Sequence, residues 1–118
     1  MKGVTVRVVS KKRLAKFWDD PRYSNAKLPL ANWYRVVRKA RWDNFGEVKK
    51  TCNATDLVGN KAVFDVGGNK FRVIAVINYE NHTVFIRAVL DHKEYNKGHW
   101  KKDDFRAKPP RKPKSPPA

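Results

Sequence analysis

Four residues in the β-rich half of the chain carry side chains suited to one reaction. Lys70 and Arg72 are cations two positions apart, and His92 and Tyr95 are a titratable ring and a phenol three apart. If a three-residue Glu80–His82 turn sets Tyr79 against Thr83, then Arg72 lies opposite Leu90 and Lys70 opposite His92, all on one face of the sheet. A helical turn after the strand then brings Tyr95 to the imidazole's side, because residues three apart on a helix are neighbours. Such a group suits RNA cleavage by the substrate's own 2′-hydroxyl, in which charge grows on the non-bridging phosphate oxygens. Lys70 and Arg72 would hold that charge, a donor to a developing oxyanion being worth about 3 to 4 kcal/mol. His92 and Tyr95 would move protons, which contributes about 10² to 10⁴ in rate. DNA lacks the internal nucleophile. Asp43, Glu47, Asp56, Asp65, Glu80, Asp91 and Glu94 show no metal-ligand spacing, so neither metal nor other cofactor is expected. Each assignment has a plainer alternative: a strand arginine is often an ion-paired residue, and Tyr95 would equally seal the edge of a core.

The elements that must position this group are readable in outline. Val4, Val6 and Val8 alternate with polar neighbours and predict a first strand. Ser10 precedes a short helix with Leu14, Phe17 and Trp18 at i, i+3 and i+4, ended before Pro21. From Pro29, the set Leu30, Trp33, Tyr34, Val37 and Ala40 marks the clearest helix. Its other side carries Arg35, Arg38, Lys39 and Arg41, either a solvated face or a phosphate-facing ridge. Residues 44–61 are mixed, with a helical turn at Glu47–Lys49 and a tight turn at Gly59-Asn60. Residues 62–66, 70–79 and 83–90 then read as a three-stranded antiparallel meander. In it, Ile74, Val76, Ile86 and Ala88 extend the Arg72 face as an apolar patch for a helix to cover, while Arg87 falls on the other face as a structural residue. His82 and His99 default to solvent.

Charge supplies the partner class. Against 11 acidic residues stand 27 Lys and Arg, a net +16 in 118 residues, so a polyanion is expected and RNA fits best. Five of the seven prolines fall within residues 108–118. No acid follows Asp104, so residues 106–118 predict a disordered basic tail behind one domain at 1–105. Setting the tail's five cations aside from +16 leaves +11 on that domain. Lys70 and Lys93 beside the candidate group, with Lys49 and Arg38 elsewhere, are the cations expected to grip RNA. No apolar run approaches the roughly 20 residues of a membrane span, and the N-terminus lacks a secretory pattern, so the expectation is a cytoplasmic protein without a membrane partner. Cys52, the sole cysteine, reads as structural.

The run from Phe64 through Gly67-Gly68 to Arg72, then Val84-Phe85-Ile86 and His92 to Tyr95, resembles the HigB family of bacterial toxins. Phe17-Trp18, Trp33-Tyr34, Ala40 to Phe45 and Val48-Lys49 resemble the same pattern in order and spacing, over roughly residues 7–97. The resemblance implies an α+β, RelE-like fold with two N-terminal helices packed on a curved, mostly antiparallel four-stranded sheet. It implies an endoribonuclease, or mRNA interferase, acting on mRNA at the translating ribosome and held inactive by a HigA-like antitoxin. Arg72, His92 and Tyr95 match the family's strand arginine, histidine and tyrosine. Asp91 departs from a small hydroxyl residue before the histidine, and Asn96 from an aspartate after the tyrosine. An acid at 91 would favour imidazolium at His92 and partly cancel the positive site. Two other classes compete: a non-catalytic RNA- or ribosome-binding protein of the same fold, and a DNA-binding regulator, which would want a recognition helix rather than one whose aromatics face a core.

Overall fold

The computed structural model describes residues 6–68 and 70–103. Within them the chain is α+β: β1 Arg7–Val9, α1 Lys11–Trp18, α2 Lys27–Lys39, α3 Phe45–Thr51, β2 Thr55–Val58, β3 Lys61–Val66, β4 Phe71–Asn78, β5 Thr83–Asp91 and α4 His92–Lys97. Short 3₁₀ segments occupy Pro21–Ala26 and His99–Lys102. The predicted tail lies outside the described residues, as do the first five residues and Asn69 of the Gly67-Gly68-Asn69 turn.

The sheet has five strands in the order β1-β5-β4-β3-β2, and this corrects the expected four. β1 is parallel to β5 and the remaining pairs are antiparallel. The additional strand is β2, an edge strand of four residues closed onto β3 through Gly59-Asn60, with Gly59 at φ 63°. Three of its four residues are exposed, so it lacks the alternation that marks a half-buried strand.

The two faces are covered by different helices. On one, α2 inserts Leu30, Trp33 and Val37 against Phe64, Val73 and Ala75, and α1 adds Leu14. Trp33 meets Phe64 edge-on at 5.1 Å, and Trp42 donates its indole N–H to Thr51 at 3.0 Å. Asn44 caps α3 by accepting from the Glu47 amide, while the Glu47 carboxylate accepts from the Asp43 amide. On the opposite face Val63 and Ile74 pack with Trp100, bordered by Ala88, Leu90 and Tyr95. The apolar patch is thus covered from the C-terminal side, by α4 and the 3₁₀ segment after it.

The β4–β5 ladder departs from the expected hairpin in two compensating ways. Asn78 rather than Tyr79 faces Thr83, so the turn has four residues, and Ile74 pairs with Ala88 while Ala75 pairs with Ile86. Arg87 is therefore an extra residue, a bulge that restores the expected pairing of Arg72 with Leu90. The bulge also sends Ile86 into the helix-covered core instead of the Arg72 face. His82 takes φ 53° in the turn and its side chain is largely covered, with Nε2 3.5 Å from the Asp43 carboxylate, so it does not sit in solvent.

Candidate active site

The site is built where β4, the end of β5 and α4 meet. Beyond the bulge the ladder runs Arg72 to Leu90 and Phe71 to Asp91, and the His92 amide continues it by donating to the Lys70 carbonyl at 3.1 Å. Lys70, Arg72 and His92 therefore occupy the register expected of them. Asp91 starts α4 by accepting from the Glu94 amide at 2.8 Å, and Gly98 ends it in the left-handed conformation, φ 76°. A single turn of helix brings Tyr95 back over the sheet.

Arg72 and Tyr95 are in direct contact: the guanidinium carbon lies 4.7 Å from the ring centroid. The other neighbours of this pair were missed in the sequence. Trp100 stacks on Tyr95 at 5.2 Å and 11°, and donates its indole N–H to the Tyr95 carbonyl at 3.0 Å. Asp65, opposite Arg72 on β3, places Oδ1 3.4 Å from the guanidinium. Asp103 receives Arg87 at 2.7 and 3.3 Å, and its carbonyl accepts from Lys61, so the chain after Trp100 is fastened to the sheet. The hairpin register would have found Asp65; Trp100 gave no signal beyond its proximity to Tyr95. Arg87 is structural as expected but not on the face expected, since the bulge lets its guanidinium make this tether on the side covered by Trp100.

Arg72 is consequently enclosed, with 8% of its surface exposed, whereas Lys70, His92 and Lys93 are exposed and Tyr95 is half-buried. The site presents two cations and an imidazole to solvent above a buried guanidinium. Lys49 and Arg38 are not part of it. Lys49 braces α3 by donating to the Thr55 carbonyl at 3.1 Å, and Arg38 lies on α2 over the Tyr34 ring.

Asp91 does not intrude on the positive site as expected. Paired with Phe71, whose ring enters the helix-covered core, it faces α1 and the Pro21–Ala26 segment, where it accepts the Tyr23 hydroxyl at 2.6 Å. That bond, followed by the Glu94 amide, holds its carboxyl below the usual range and raises the Tyr23 phenol. Burial raises the Cys52 thiol, which suits a packing role rather than a nucleophile. Among the described residues, no three His, Cys, Asp or Glu side chains are grouped to hold a metal ion, and no helix is long and apolar enough to cross a membrane.

Comparison with known proteins adds a family. Residues 26–98 match the family model for HigB toxin, RelE-like toxic component of a toxin-antitoxin system. The mRNA interferase HigB of Escherichia coli O6:H1 is 37% identical over 79 residues, covering 64% of this chain and 77% of that protein. The mRNA interferase toxin HigB of Escherichia coli K12 is 50% identical over 34 residues, 29% of this chain and 33% of its own length. An mRNA interferase HigB of Shigella flexneri matches to the same extent.

Proposed function

The chain belongs to the HigB family of RelE-like toxins, and from that premise we propose that it is an endoribonuclease cleaving mRNA at the Lys70, Arg72, His92 and Tyr95 group. The observation that carries the reading is the contact of the buried Arg72 guanidinium with the Tyr95 ring, next to the backbone bond that joins Lys70 to His92 at the start of α4. Lys70 and Lys93 take phosphates on either side of the scissile bond. His92 accepts the 2′-hydroxyl proton as that oxygen attacks phosphorus, the P–O5′ bond breaks and the departing 5′-oxygen takes a proton from solvent, leaving a 2′,3′-cyclic phosphate and a free 5′-hydroxyl. Tyr95 donates to the phosphate through its phenol, and Arg72 holds the ring while placing positive charge beneath it. The setting is the cytoplasm, with mRNA cut as it is translated on the ribosome and a HigA-like antitoxin holding the toxin inactive.

The enclosure of Arg72 favours one second reading, a non-catalytic RNA- or ribosome-binding protein of the same fold, since a covered guanidinium cannot grip phosphate. Induced expression with mapping of mRNA 5′ ends separates the two. Wild type should arrest growth and produce new 5′ ends. His92→Ala should lower cleavage by about 10² to 10⁴. Arg72→Lys, which keeps the charge but not the planar contact, should lower it with the fold preserved by circular dichroism. Full cleavage by both variants would remove the proposed site, and RNA binding without cleavage by wild type would establish the second reading.

A further inference from the structure

On the helix-covered side, away from the Arg72 group, α1 and α2 enclose a cleft of about 600 Å³. Five cations line it: Lys11, Lys27, Arg35, Arg38 and Lys39. Its floor is apolar, made of Trp18, Ala31 and Tyr34, and no acidic side chain lines it among the described residues. Leu28 is not one of the lining residues, but it falls one helical turn before Ala31 and two before Arg35 on the same stripe of α2, with 81% of its surface exposed.

We propose that this cleft docks an acidic segment of the partner protein, with apolar side chains entering between the helices and carboxylates meeting the rim. The proposal rests on the toxin–antitoxin reading above and supplies that reading with a binding surface. Charge excludes two other occupants: the basic residues 106–118 and a second copy's equivalent face would both meet like charge. Nucleic acid matches the rim but not the interior. Lys11 and Arg38 already lie over the Tyr34 ring, at 5.2 and 5.7 Å, where a base would have to stack. An exposed leucine beside an apolar floor is a feature that a peptide buries and a phosphate backbone does not. Two of the eight lining residues, Lys11 and Trp18, come from α1, outside the family-matched residues 26–98, which suits recognition of a partner particular to this chain.

The test uses the full-length protein and fluorescence anisotropy with two probes: a short peptide alternating glutamate with leucine and tryptophan, and an oligouridylate of equal charge. Lys27→Glu combined with Arg35→Glu should weaken peptide binding at least about tenfold, or 1.4 kcal/mol. Leu28→Asn should weaken it several-fold at unchanged net charge, and both variants, altered only at exposed positions, should cleave mRNA like wild type. Unchanged peptide affinity in the double variant would overturn the proposal. So would a loss of oligouridylate affinity equal to or greater than that of peptide, which would make the cleft a nucleic-acid surface. Wild type that binds the peptide through these residues yet cleaves no mRNA would overturn the enzymatic reading and leave the docking site standing.

Discussion

Asp91 shows how one residue can be placed correctly in sequence and misread in chemistry. Its position beside His92 suggested a carboxylate inside the positive site, but strand alternation sends it to the other face, where it caps α4 and accepts the Tyr23 hydroxyl. The Asp91–Tyr23 bond has a defined pH window. Asp91's pKa is lowered by folding, so its contribution is present above the usual carboxylate range and is lost as pH falls through the folded value. Tyr23's pKa is raised, so its contribution is present below the usual phenol range and is lost as pH rises through the folded value. Tyr23→Phe keeps the ring stacked on Phe17 at 4.3 Å and should cost about 1 kcal/mol between roughly pH 5 and 9. Urea unfolding across pH should show the two proteins converging at either extreme. A constant difference at all pH values would assign the loss to packing instead.

Among the elements, the most dependent is the C-terminal cover formed by α4 and the segment after it. It is short, α4 buries no residue fully, and its hold on the sheet comes from Trp100, the Tyr95 stack and Asp103. Trp100→Ala should cost about 3 kcal/mol by guanidinium unfolding, a typical figure for truncating a large buried aromatic. It should also lower mRNA cleavage under conditions where the protein stays folded, because Tyr95 loses the surface that aligns it over Arg72. Cleavage equal to wild type would show that the Tyr95 ring needs no such support. The sequence was most informative where burial is periodic. Leu30, Trp33 and Val37 announce α2, and the β-rich runs announce β3 to β5. β2 was not legible because its one-sided pairing leaves Leu57 and Val58 exposed, and the cover was not legible because its contacts are made by single residues across a turn.

Over the whole molecule the sheet separates two tasks that net charge alone merges. One face carries the candidate chemistry and the other the cationic α1–α2 cleft, so the +16 is a sum over unlike surfaces. The C-terminal residues form a third contribution, with Lys108, Arg111, Lys112 and Lys114 all beyond residue 106. Deleting residues 107–118 should weaken RNA or ribosome binding and shallow its salt dependence, by up to about 0.7 in log–log slope for each phosphate contact removed on single-stranded RNA. An unchanged slope in filter binding at several salt concentrations would show that these residues make no phosphate contacts. The family resemblance covered nearly all of the described residues, whereas residues 106–118 and the cleft had to be read from charge and geometry.

The extra residue at Arg87 also bears on how this sheet tolerates change in chain length. Removing Arg87 would join Ala88 and Ile86 to consecutive partners on β4 and leave an unbroken ladder, with every side chain still on its own face. Removing Val89 instead would bring Asp91 round to Arg72 and turn Leu90 toward the helices. Position 87 is thus the one place in β5 where the strand can lose a residue without changing its reading frame, although the tether to Asp103 would go with it.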